Sequence, residues 1–161
     1  MAKAPYGIYD IAPNATFAQA AHMAVRQQYH ELMSNLEGTR QGEDIEALHD
    51  MRVASRRLRA ALSVFAAAFP PRLFARCEKQ VARVTDALGM VRDADVQIEF
   101  LEGLRDRAPE SERVGLDAFI DHLNRQRDAD RVDLVRALDK LEKGGFRKDF
   151  AALLEEDPAH G

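Results

Sequence analysis

Residues 43–69 read EDIEALHDMRVASRRLRAALSVFAAAF, and their spacing decides the fold. Leu48, Met51, Ser55, Leu58, Leu62, Phe65 and Phe69 follow steps of three and four, so they share one face of a helix. That face is apolar apart from one small serine, which predicts a core contact. His49, Arg52, Arg56 and Arg59 repeat the same steps one residue later. At ~100° per residue they form a second stripe, about a quarter turn round the helix from the first. With a rise of ~1.5 Å per residue, Arg52 to Arg59 covers roughly 10 Å. No acid stands three or four positions downstream of any of these arginines, so pairing along the helix cannot neutralise them.

Working outward, the segment before this helix carries a second helical pattern. Asn14 or Thr16 can cap it, and Phe17, Ala21, Val25, Gln28, Leu32 and Leu36 give its buried face, with an end near Gly38. Arg40 to Gly42 supply a turn. Residues 1–13, with Pro5, Gly7 and Pro13, read as an irregular lead-in. On the other side, Pro70-Pro71 stops the central helix. A third helix runs from about Pro71 to Leu88 on Leu73, Cys77, Val81, Val84 and Leu88, with Gly89 as its stop. A fourth starts near Asp93 and Asp95, packs through Val91, Val96, Phe100 and Leu104, and breaks at Pro109. A fifth spans roughly 112–142, with Leu116, Ile120, Leu123, Leu134, Leu138 and Leu141 on one face. Arg127 and Asp130 fall on that same face, where charges need each other or a wet cavity. Gly144-Gly145 leads into a short last helix with Phe146, Phe150, Leu153 and Leu154, and residues 156–161 read as a frayed tail. No strand pattern or internal repeat interrupts this. The expectation is an all-α protein, an antiparallel bundle of about six helices in one domain over residues 14–155.

The net charge of -4 hides an uneven distribution. From Arg52 to Arg83 there are eight basic residues and one acid, Glu78, a local balance of +7. Cys77 is the single cysteine, so no internal disulfide can form, which fits a reducing compartment. The N-terminus shows no apolar core behind a basic lead, and the longest apolar run, near residues 60–69, is too short to span a bilayer. A cytoplasmic protein with no membrane association is expected.

The basic stripe carries the chemistry. Arginine offers a planar fork of donors that fits phosphate oxygens and never loses its charge. At ~7 Å and an effective dielectric between 20 and 80, each pair of neighbouring arginines repels by roughly 0.5–2.5 kcal/mol. A polyanion laid along the row removes that repulsion and adds charge-assisted bonds of about 1.5–3 kcal/mol each. The plainer alternative is a solvated face, or arginines paired with acids of other helices such as Asp93, Asp95 or Asp130. His49 begins the stripe and can donate to an anion from either nitrogen, or serve as a border histidine of the core. Arg92 falls in or just before the first turn of the fourth helix, where free N–H groups favour anions, or it pairs with Asp93 or Asp95. Arg26 shares a helix face with His22 and His30 and extends the basic region or lies on plain surface. His22 and His30 have no metal-ligand spacing, so no metal site and no cofactor is expected. No phosphate loop, nucleophile elbow or paired-carboxylate motif is present, so no catalytic residue is assigned.

The run LHDMRVASRRLRAALSVF followed by LGMVRDADV resembles the CHAD family, the conserved histidine α-helical domains. The residues that carry the resemblance are His49, Arg52, Val53, Arg56, Arg57, Leu58 and Arg59, then Leu88, Gly89, Arg92 and Asp93. The lead-in YDIAPNATFAQA and the ending GGFRKDFAALL are similar in character. The resemblance implies a helical domain that binds inorganic polyphosphate through a basic channel without acting on it, at times at polyphosphate granules. His49, Arg52, Arg56 and Arg59 are then expected as direct ligands, with Arg57 facing the far wall or a partner and Arg26, Arg92 and Arg127 as second choices. The family domain has two related helical halves, and this chain resembles the first, so a homodimer restoring the second half is expected. Two other functions compete: a histidine phosphotransfer bundle with His49 as phosphoacceptor, and a binder of other polyanions such as nucleotides or nucleic acid. No aromatic residue interleaves the arginines to stack bases, which argues against nucleic acid. An architectural bundle whose arginines are all internally paired is the remaining competitor.

Overall fold

The computed structural model describes residues 11–155. Residues 1–10 and 156–161, which hold most of the expected lead-in and all of the expected tail, lie outside the described residues. Helix α1 spans Phe17–Ser34, α2 Leu36–Gln41, α3 Ile45–Val64, α4 Pro71–Arg107, α5 Glu110–Lys143 and α6 Phe146–Glu155, with a 3-10 turn at Ala66–Ala68. No strand occurs among the described residues, and the architecture is all-α as expected.

Local chemistry accounts for the boundaries. Thr16 closes a capping box at the start of α1: its hydroxyl accepts from the Gln19 N–H at 3.1 Å, and Gln19 Oε1 accepts from the Thr16 N–H at 2.9 Å. Asp44 caps α3 by accepting from the Glu46 N–H at 2.9 Å. The chain does not run helically to Gly38 and then turn. It kinks at Asn35, forms the short α2, and reverses at Gly42, whose φ of 74° is left-handed. A Cβ at Gly42 would also collide with the Arg131 guanidinium, which donates to the Thr39 and Arg40 carbonyls at 3.2 and 2.9 Å. Arg40 pairs with Glu142 at 2.6 Å and Asp139 at 3.3 Å, so α2 is tied to α5 by charge from both sides.

The main core joins α1, α2, α3, the first half of α4, the second half of α5, and α6. Val25, Leu32, Met51, Leu58, Leu62, Val81, Leu88, Leu134 and Leu138 are fully buried in it. Ser55 is buried within the apolar stripe of α3 because its hydroxyl donates to the Arg52 carbonyl at 2.8 Å. Phe146 and Phe150 close one end, with the Tyr29 ring stacked 4.8 Å from Phe150. Phe17 departs from its expected place and is largely exposed, with its ring 5.3 Å from Phe65.

The largest departure is α4. Gly89 does not stop a helix, and no new helix starts near Asp93: one helix of 37 residues runs from Pro71 to Arg107. A helical glycine costs only about 1 kcal/mol relative to alanine, and no proline intervenes before Pro109. Because the helix never restarts, its phase is inherited from Val84, Leu88 and Val91. That phase carries Asp95 and Ile98 inward and leaves Val96, Phe100 and Leu104 exposed, against expectation. The far parts of α4 and α5 form a hairpin around a second, smaller cluster of Ile98, Ile120 and Leu123, with Leu101 packed beside it.

Between the two clusters sits the charge that the α5 stripe predicted would need a partner. Arg127 Nε pairs with Asp95 Oδ1, whose side chain is 5% exposed. Asp130 is half-buried and is not that partner. Removing one member of such a pair strands the other. Arg127→Met is therefore expected to cost on the order of 3 kcal/mol, whereas Asp95→Leu together with Arg127→Met recovers most of the loss. Urea unfolding of the three proteins checks both outcomes.

Cys77 is fully buried, and burial, reinforced by Asp149, pushes its thiol up from 9.0 to about 12. The native state thus holds this proton longer than the unfolded chain. Its contribution to stability is complete below about pH 9 and is lost as the pH climbs toward the folded-state value. Thiol labelling of the native protein is expected to be limited by unfolding and flat across neutral pH, with a burst of reaction on adding denaturant.

Candidate anion-binding groove

Helices α3 and α4 pack antiparallel, and two ion pairs fix their register. Arg52 Nη2 lies 3.5 Å from Asp93 Oδ1, and Arg59 Nη1 lies 3.7 Å from Asp86 Oδ1. The two pairs lie seven residues apart along each helix, in opposite directions. The same register sets Gly89 across from Arg56. Between the helices opens a shallow groove of about 530 Å³, lined by Arg52, Arg56, Arg59, Thr85, Asp86, Gly89, Met90 and Asp93.

The row of arginines exists because of the stripe beside it. Met51, Leu58 and Leu62 are buried, so positions one residue on stand at the edge of the contact with α4. There an arginine can lay its apolar stem against the core and hold its head over the groove. The Thr85 hydroxyl is committed to the Val81 carbonyl at 2.8 Å and adds no free donor. The groove contains three cations and two carboxylates.

Those carboxylates correct the expectation of an uncompensated row. Asp86 and Asp93 meet two of the three arginines, but at long distance and with their own side chains 77% and 67% exposed. Ion pairs of this kind contribute ~0–1 kcal/mol each. Arg56 is exposed, and no carboxylate among the described residues pairs with it. The plainer alternative, arginines paired with acids of other helices, thus holds for Arg52 with Asp93, an acid it named, and for Arg59 with Asp86, and leaves out Arg56.

The other sequence candidates lie elsewhere. His49 is half-buried one turn before Arg52 and does not line the groove. Arg57 is half-buried on the adjoining flank of α3 and has interactions of its own. Arg92 sits in the interior of α4, so no free helix N-terminus stands beside it. Arg26 donates to the Leu154 carbonyl at 3.2 Å and borders a separate depression with His22 and Glu155. Arg127 is held by Asp95. Among the described residues, no three His, Cys, Asp or Glu side chains converge as a metal site would require.

Sequence reasoning placed the arginine wall and, of the wall opposite, named only Asp93. Thr85, Asp86, Gly89, Met90 and Asp93 recur at helical spacing along one flank of α4. That signal is readable only if Gly89 is taken as helix interior rather than helix end.

The fold and the groove define an all-α bundle with a row of arginines along the seam between two antiparallel helices. The family model for the CHAD domain matches residues 23–161, and this chain belongs to the CHAD domain family. No curated protein and no solved structure matches the chain. No helix among the described residues is long and apolar enough to cross a membrane.

Proposed function

We propose that this chain binds inorganic polyphosphate along the α3–α4 groove, through Arg52, Arg56 and Arg59, and performs no chemistry on it. CHAD domains occur in polyphosphate-binding contexts. The observation that carries the proposal is Arg56, an exposed guanidinium without a described carboxylate partner, between two arginines held only by long, solvent-exposed ion pairs. A linear phosphate chain presents an anion every few ångströms and can bridge all three across roughly 10 Å of helix. Arg57 and Arg92 then act as flanking positive charge, with His49 as a flanking hydrogen-bond donor. The cytoplasm, including polyphosphate granules, is where such a ligand would be met.

Binding requires the polymer to replace Asp86 and Asp93 at the outer arginines. Their exposure makes that replacement inexpensive, because freed carboxylates return to water. Arg52→Ala with Arg56→Ala is expected to weaken long-chain polyphosphate binding by about a hundredfold or more and leave helical content unchanged. Asp86→Asn with Asp93→Asn is expected to tighten it. For the native chain, log affinity against log salt should fall with a slope of about −2, as expected for three cations on a flexible polyanion. Calorimetric titration at two salt concentrations, with short RNA as control, measures all of this. Equal affinity in the double alanine protein overturns the assignment.

The groove is shallow and open, so polyphosphate seated there keeps one side in solvent. A second copy of the chain covering that side would double the arginines on the ligand, and we infer that polyphosphate brings two chains together. Light scattering with polyphosphate present is expected to give twice the mass of one chain, and a single-chain mass throughout counts against it.

A further inference from the structure

We propose that Gly89 is a specificity-determining residue, the open floor over which a phosphate chain reaches Arg56. This inference rests on the polyphosphate proposal and gives the same groove a steric selector.

Glycine in a helix interior is less stable than alanine there. Three ordinary reasons fail at Gly89. It does not end a helix, since α4 continues to Arg107. It does not need a left-handed backbone, since Gly42 is the only described glycine with positive φ. Nor is it required by packing, since a Cβ built there meets no atom within 4 Å. The same holds for Gly103 and Gly115, and what sets Gly89 apart from them is its place in the groove. Asp86 stands one turn before it and Asp93 one turn after, each reaching across to an outer arginine, and Arg56 lies opposite. The position is therefore the midpoint of the groove.

Any larger side chain at that point would rise between the two carboxylates and in front of Arg56. The helix N–H groups are already used within α4, so the floor offers room rather than donors. A bare chain of phosphates is narrow enough to lie against such a floor with Arg56 above it. A polymer bearing a sugar and a base on every phosphate has to fit those groups beside Met90, which is 53% exposed at the rim. The groove thus favours an unsubstituted, linear phosphate chain.

Gly103 offers an internal control. It is also a glycine in the interior of α4 with nothing within 4 Å of a built Cβ, but it lies in the distal hairpin outside the groove. The experiment titrates long-chain polyphosphate into the native chain and into G89A, G89Q and G103Q, with circular dichroism and thermal unfolding of each. Both glutamine proteins are expected to be as helical as the native chain and no less heat-resistant. G89Q is expected to bind about tenfold more weakly, the loss of about one charge-assisted contact. G89A should lie between it and the native chain, and G103Q should bind as the native chain does. Equal binding by G89Q and the native chain overturns the role of Gly89 and leaves the polyphosphate proposal standing. An equal loss in G103Q overturns it too, by showing a general effect. If the native chain itself binds no polyphosphate, the functional proposal falls and this inference falls with it.

Discussion

The seam between α3 and α4 governs the rest of the molecule. Met51, Leu58 and Leu62 share one buried cluster with Val81, Val84 and Leu88, and burying each such side chain contributes about 1.5–3 kcal/mol. That contact leaves little freedom of register, because cores are packed as densely as organic crystals. Once the register is set, the next residue along α3 at each turn stands over the flank of α4. Every electrostatic property of the groove follows from which α4 residues are there. A one-turn slip would face Arg56 with a carboxylate and would also pull the buried leucines out of their places.

Charge in this groove is arranged for exchange of partners. Three like charges in a row cost repulsion when empty, and Asp86 and Asp93 relieve part of it without burying themselves. A ligand that takes their place gains the arginines and returns two carboxylates to solvent. The contrast is Asp95 with Arg127, only a short way along α4. There the carboxylate is buried, and the pair acts as a joint between the main core and the hairpin. Burial separates a pair that can be traded from one that cannot.

Much of this could be read from the sequence, and the misses share a cause. The stripe from Leu48 to Leu62 matched the inner face of α3, and the row beginning at His49 followed from it by a step of one; Phe65 and Phe69 lie past the helix, which ends at Val64 and not at Pro70. Asp93 could be named as one acid able to meet that row, but its pairing with Arg52 and that of Asp86 with Arg59 could not be assigned, because both acids come from another helix and spacing along one helix does not fix the register between two. Gly89 misled for a related reason. Glycine after an apolar run is the usual mark of a helix end, and only the absence of a proline before Pro109 argues otherwise. That single error shifted the phase of the following segment and turned Val96, Phe100 and Leu104 inward on paper. Arg127 was legible as a problem, a charge inside an apolar stripe, but its solution on α4 was not.

The unbroken α4 has a mechanical consequence. At ~1.5 Å per residue its 37 residues make a strut of about 55 Å. One end is clamped in the main core, the middle forms a wall of the groove, and the other end carries half of a thinly held hairpin. A rod pinned at one end amplifies small tilts toward its tip. Whatever wedges the seam open by a fraction of an ångström is thus enlarged at the hairpin, away from the groove.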